Sequence, residues 1–143
     1  MRSLVLDTSV AIAWYLPEAF ATAARSYQTQ LLDGRLRLIV PSLHFWEVAN
    51  VLRTYVRRGE LTASLAGEIY ALHIDAPLEV QEPDRSAVLA TALECEASAY
   101  DAVYITLART LDVPLLTAER KTRPWVAQLG RLVETVAAPG SGL

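Results

Sequence analysis

Short apolar runs that stop at a polar residue and turn at once into a helix-like stretch recur along this chain, and the first of them sets the pattern. Leu4, Val5 and Leu6 make a run of the kind a buried strand makes, Asp7 stands where it ends, and Ser9 is placed to cap the helix that follows. Further runs span 36–40, 113–117 and 132–136, with a weaker edge strand at 78–81. The segments between them read as helices. They cover 9–16, closed by Pro17, 18–32, ended by Asp33-Gly34-Arg35, and 43–58, ended by Gly59. Others cover 62–73, which stops before Pro77, 85–94 behind the N-cap Asp84, and 99–111 behind the N-cap Ser98. A last short helix runs from a Thr117 cap through Gln128, and Gly130 terminates it. Parallel strands need long crossovers, so this alternation argues for an α/β domain whose parallel sheet is covered by helices on both faces. A strand that ends in a carboxylate and turns into a helix then presents Asp7 at the carboxyl edge of the sheet, where open α/β folds bind ligands.

The 143 residues, 52% of them hydrophobic, suffice for one domain, expected over 1–137 and followed by a flexible Pro/Gly/Ser-rich tail at 138–143. Cys95 is the only cysteine, which excludes an internal disulfide and a cysteine-built zinc cage. The start resembles no signal peptide, and no window of about 18 uninterrupted apolar residues exists for a membrane span. A cytoplasmic protein is expected. With a net charge of −3, a polyanion must be met by a local basic patch or by metal.

Two strands end alike, in Leu6-Asp7-Thr8-Ser9 and in Leu116-Thr117-Ala118-Glu119. If they are neighbours in a doubly wound sheet, Asp7 and Glu119 flank its switch-point crevice. Glu47 lies among apolar neighbours in Phe45-Trp46-Glu47-Val48-Ala49, with Asn50 and Thr54 extending a polar stripe along its helix. Asp101 follows Ser98 at capping-box spacing, which gives it a structural role as well as a chemical one. Four carboxylates that face one another repel unless a cation neutralises them. An all-oxygen set suits Mg²⁺ or Mn²⁺ better than zinc, and such ions are a common means of hydrolysing phosphodiesters.

Arg120, Lys121 and Arg123 form the densest basic cluster and follow Glu119 directly, where they suit RNA phosphates. Arg57 and Arg58 at a helix C-terminus are explained by the macrodipole. His44 and His73 have no spaced partners and are expected to hold no metal, Cys95 is expected to pack between helices, and Trp14, Tyr15, Phe45 and Trp46 are expected mostly in the core.

Val5-Leu6-Asp7-Thr8-Ser9, Glu47 with Asn50, Tyr100-Asp101-Ala102-Val103-Tyr104 and Leu116-Thr117-Ala118-Glu119 together resemble the PIN-domain ribonucleases, and most nearly the VapC-type toxins of toxin–antitoxin pairs. The resemblance implies a three-layer α/β/α fold with a five-stranded parallel sheet flanked by helices, and a Mg²⁺- or Mn²⁺-dependent endoribonuclease acting on RNA. It matches Asp7, Glu47 and Asp101 to the family's central acids, and Thr8 or Ser9 together with Thr117 to hydroxyl positions that orient the site. The fourth acid, most often aspartate in the family, is here Glu119, whose extra methylene displaces the carboxylate by roughly an ångström. The resemblance further implies a homodimer and a small antitoxin partner. A PIN-fold module that binds RNA or protein with little or no turnover is the competing reading, and Glu119 is the residue that leaves room for it. A phosphomonoesterase is disfavoured, because Asp7-Thr8-Ser9 lacks the second aspartate of phosphoaspartyl enzymes and no Walker-type glycine loop is present.

Overall fold

The structure is a computed structural model that describes residues 1–136; the tail expected at 138–143 lies outside the described residues. Five parallel strands, β1 (Arg2–Leu6), β2 (Leu36–Val40), β3 (Glu79–Val80), β4 (Leu115–Thr117) and β5 (Val133–Thr135), form one sheet in the order β3-β2-β1-β4-β5. Seven helices connect them among the described residues: α1 (Thr8–Ile12), α2 (Ala21–Leu32), α3 (Leu43–Arg57), α4 (Ala63–Asp75), α5 (Arg85–Cys95), α6 (Ala99–Leu111) and α7 (Pro124–Leu129). This is the three-layer α/β fold that the alternation of apolar runs and amphipathic segments requires.

The two-residue period of the strands sorts their side chains between the helical layers. Leu4, Leu6, Leu36, Leu38, Val40 and Leu116 pack on the face covered by α1 and α2, against Val10, Trp14, Ala24 and Leu31. Val5, Ile39 and Leu115 point the other way and pack beneath α6 and α7, against Tyr104, Ile105, Trp125 and Val126. A third cluster of Ile12, Leu16, Val48, Leu52 and Ile69 binds α3 and α4 to the end of α1. That contact holds α3 across the carboxyl end of β1.

Several element ends differ from the sequence reading, each for a local reason. Ser9 lies inside α1, and the N-cap position belongs to Asp7, whose side chain makes no capping bond. Residues 118–123 are loop, and α7 begins only at Pro124, with Arg123 at the N-cap. Proline at the first helical position starts a helix without losing a hydrogen bond. The basic cluster Arg120, Lys121 and Arg123 is therefore an exposed loop rather than a helix face. Trp14 is core, as expected, but Trp46 is 68% exposed. Among the described residues no helix is long and apolar enough to cross a membrane.

Candidate active site

From β1 the chain moves outward to β2 and β3, then returns to lay β4 and β5 on the other side, so the switch point falls between β1 and β4. Leu6 pairs with Leu116 there, and the backbone N–H of Asp7 donates to the Leu116 carbonyl at 3.0 Å. Asp7 and Thr117 thus meet at the strand ends. The Asp7 Oδ2 atom accepts hydrogen bonds from Thr117 Oγ1 at 2.7 Å and from Ser9 Oγ at 3.0 Å. Each hydroxyl also accepts one from the backbone of the loop after β4, Ser9 from the N–H of Ala118 and Thr117 from that of Glu119, both at 3.1 Å. Burial pushes the Asp7 carboxyl up to about 6; the bonds from Thr117 and Ser9 oppose the rise, and the charges of Asp101 and Glu47 add to it.

Glu47 reaches the same place from α3. Its Oε1 atom accepts from the Tyr104 hydroxyl at 2.6 Å and from Thr8 Oγ1 at 2.9 Å. Asp101 arrives on the first turn of α6, where Ser98 Oγ accepts its N–H at 3.0 Å, and Tyr104 lies one turn further along the same face. The structure therefore brings Asp7, Glu47 and Asp101 within one electrostatic environment, with Ser9 and Thr117 holding the first acid and Thr8 the second. Glu119 follows Thr117 by two residues, and its carboxylate lies 3.8 Å from the guanidinium of Arg123. Beside Glu47, an open groove of about 460 Å³ is lined by Thr8, Leu43, Trp46, Asn50, Val51 and Tyr100. The rings of Trp46 and Tyr100 are 68% and 64% exposed.

The sequence reading missed Tyr104, His44 and His73. The first two carried a signal, since Tyr104 follows Asp101 and His44 precedes Glu47 at a spacing of three on a helix. His73 carried none. The two histidines, which have no partners at metal-ligand spacing in the sequence, meet each other in the fold, with their Nε2 atoms 2.8 Å apart in the fully buried interior. Burial pushes His44 down to about 3, helped by His73, and pushes His73 down to about 4, so both rings are neutral at pH 7.

Among the described residues no three His, Cys, Asp or Glu side chains form a ready cage for a metal ion. What fits a cation is the donor chemistry. The gathered acids offer only oxygen, and one of them, Asp7, holds a proton more tightly because burial and the neighbouring negative charges disfavour its ionised form. Oxygen sets of this kind suit Mg²⁺ or Mn²⁺.

The PIN domain family model matches residues 4–123. Among solved structures, PAE2754 from Pyrobaculum aerophilum is similar with a TM-score of 0.67 and 23% identity, over 92% of this chain and 89% of that one. VapBC2 from Rickettsia felis, solved bound to a DNA fragment from their promoter, is similar with a TM-score of 0.61 and 12% identity, over 93% of this chain and 98% of that one. No curated protein matches the chain. At these identities the two structures speak for the fold, while the family model spans most of the sequence, including Asp7, Glu47, Asp101 and Glu119. The chain belongs to the PIN-domain family.

Proposed function

We propose that this protein is a metal-dependent endoribonuclease that hydrolyses phosphodiester bonds in single-stranded or loop RNA, and that it is the toxin of a VapC-type pair. The observation that carries the reading is the Asp7 carboxyl, enclosed at the sheet's switch point with the charges of Asp101 and Glu47 acting on it. Asp7, Glu47 and Asp101 hold one Mg²⁺ or Mn²⁺, and Glu119, paired with Arg123, takes a lesser part. When bound, the ion supplies a water of lowered pKa and neutralises charge that develops on the phosphoryl oxygens. Thr117 and Ser9 orient Asp7, and Thr8 and Tyr104 orient Glu47.

RNA is met by residues around that centre. Trp46 and Tyr100 offer exposed rings beside the acids, which suits unpaired bases, since a base inside a duplex has no free face to stack. Asn50 and Arg53 continue along α3 from Glu47, a track of about 9 Å at the helical rise, and Arg120 and Lys121 lie on the other side in the loop after β4. Phosphates held there offset the repulsion expected from a net charge of −3. A small antitoxin is the cognate partner and a second copy of the chain the other. The exposed Leu89 and Leu93 on α5 and Leu65, Leu72 and Ile74 on α4 are apolar surface of the kind such partners cover.

The test is cleavage of single-stranded RNA by purified, antitoxin-free protein in Mg²⁺, Mn²⁺ and EDTA. Cleavage that needs the metal and disappears in Asp7→Ala and Asp101→Ala supports the reading; cleavage that survives either substitution rejects it. The pairing of Glu119 with Arg123 favours one second reading, a module that binds RNA without turnover. Tight RNA binding with no cleavage in Mn²⁺, unaffected by the acid-to-alanine changes, would establish it.

A further inference from the structure

Behind Glu47 a line of hydrogen bonds runs back through the protein to Tyr15, in the turn after α1. The Tyr15 hydroxyl lies 2.8 Å from His73 Nδ1, and His73 Nε2 lies 2.8 Å from His44 Nε2. His44 Nδ1 then stands 3.3 Å from both Thr8 Oγ1 and the Tyr104 hydroxyl, the two groups that touch Glu47 Oε1. The line draws on α1 and its following turn, α4, α3 and α6, and both imidazoles are fully buried. The nuclease reading uses Thr8 and Tyr104 but not the three residues behind them.

Proton counting gives this line a direction. Two Nε2 atoms at 2.8 Å have room for one proton between them, so exactly one of the two rings carries it there, and each neutral ring has its other nitrogen in the opposite state. Suppose His44 carried it. Its bare Nδ1 would then take the proton of Thr8 or Tyr104. Thr8, Tyr104 and Glu47 Oε1 form a triangle of oxygens with sides of 2.9, 2.6 and 2.9 Å, and only one hydroxyl proton would remain to fill it. Oxygens that close without a proton between them repel. Suppose instead that His73 carries it. His44 Nδ1–H then donates to the Thr8 and Tyr104 oxygens, and both hydroxyl protons stay inside the triangle, which leaves one of its three sides without a proton instead of two. His73 Nδ1, now bare, accepts from the Tyr15 hydroxyl.

We infer that Tyr15, His73 and His44 form a one-way hydrogen-bond chain directed at Glu47, in which His73 is the Nε2–H tautomer and His44 the Nδ1–H tautomer. Tyr15 and His73 touch none of the acids and act as positioning residues. They hold His44 as a donor, which leaves Thr8 and Tyr104 free to donate to one carboxylate oxygen of Glu47 and to fix how its other oxygen is presented. Outer partners of this kind commonly change metal affinity by about 10- to 100-fold when removed. The assignment of Glu47 as a metal ligand rests on the proposed nuclease function, whereas the tautomers do not.

The experiment has two arms, both on the full chain. Long-range ¹H–¹⁵N correlation spectra of the metal-free protein read each ring nitrogen as protonated or bare. The expected result is a protonated Nε2 on His73 and a protonated Nδ1 on His44, and the opposite tautomer on either ring overturns the inference. Mn²⁺ titration of Tyr15→Phe, His73→Leu and His73→Gln reads the consequence. Glutamine both accepts and donates, so it is expected to stay within about threefold of the parent affinity, while leucine loses about tenfold and Tyr15→Phe falls between. Equal affinity in all three variants overturns the positioning role. If His73→Leu fails to fold, Tyr15→Phe, which keeps the ring and removes only the donor, carries this arm. A parent protein that binds no Mn²⁺ overturns the nuclease reading, and the tautomers still decide the direction of the chain.

Discussion

Asp7→Asn separates what the site costs the fold from what it does. In the folded protein the Asp7 carboxyl is pushed from 3.8 up to about 6, chiefly by burial, against the bonds from Thr117 and Ser9. A group whose folded pKa is raised holds its proton more tightly in the native state, so its stabilising effect is complete below about 4 and is lost as pH rises through about 6. A shift of about two units at 1.36 kcal/mol each makes this loss about 3 kcal/mol by pH 7, an upper figure because Asp7 is only half-buried as a residue. Asparagine keeps a carbonyl oxygen for the two hydroxyl donors and has no charge to desolvate. Metal-free Asp7→Asn is therefore expected to match the parent near pH 4 and to exceed it progressively toward pH 7.5. At a urea slope of about 2 kcal/mol per M, the midpoints part by up to about 1.5 M. Mn²⁺ is expected to reverse the ranking, because only the parent gains from binding. Urea unfolding of both proteins in EDTA at pH 4, 5.5 and 7.5 is the assay. The other titrating groups act alike in the two proteins and cancel in the difference. A difference that stays flat across this range, or an Asp7→Asn protein equally destabilised at every pH, refutes the claim that an enclosed, crowded carboxylate lies at the switch point.

The histidine pair shifts stability the opposite way. Its folded pKa values are depressed to about 3 and about 4, so stability is complete above about 6.5 and is lost as pH falls toward 4, by up to about 1.4 kcal/mol per pH unit for each ring. Asp7→Asn, which lacks the compensating carboxyl, should show this slope most cleanly between pH 6.5 and 4.5, and a level profile there contradicts neutral buried rings. Trp46→Ala should leave thermal stability unchanged because the ring is 68% exposed, yet raise KM for single-stranded RNA by about 5- to 100-fold through the loss of one stacking face; an unchanged KM removes Trp46 from the RNA path. Glu119→Gln should reduce cleavage less than Asp101→Asn does, since Glu119 is engaged with Arg123, and an equal loss would promote it to the central set.

The elements that build the site were legible because their signals are local. Leu4 to Leu6 alternate between two buried faces and Asp7 ends the run, which places the acid at the sheet edge before any contact is known. Glu47 and Asp101 sit on helices whose polar positions stand out from apolar neighbours, and the family resemblance put these acids in order. Long-range choices were not legible. Thr117 looks like a helix cap in sequence, and its hydroxyl does accept the Glu119 N–H, but the helix waits for Pro124 and the hydroxyl proton goes to Asp7, 110 residues away. His44 and His73 look unpartnered because their contact spans 29 residues and depends on α4 packing against α3. Trp46 reads as core on an apolar segment, yet Val48 and Leu52 turn inward on α3 and leave it facing the groove. Helix phase, which a single ring does not reveal, decided that case.

Calorimetric titration of Mn²⁺ into metal-free parent protein and into Asp7→Asn, Glu47→Gln and Asp101→Asn addresses the central claim, that carboxylates from three distant segments serve one divalent ion. Binding of the ion by the parent, weakened at least about tenfold by each of the three substitutions, is the expected outcome. A parent that binds no Mn²⁺, or three variants that bind it as the parent does, would contradict the account.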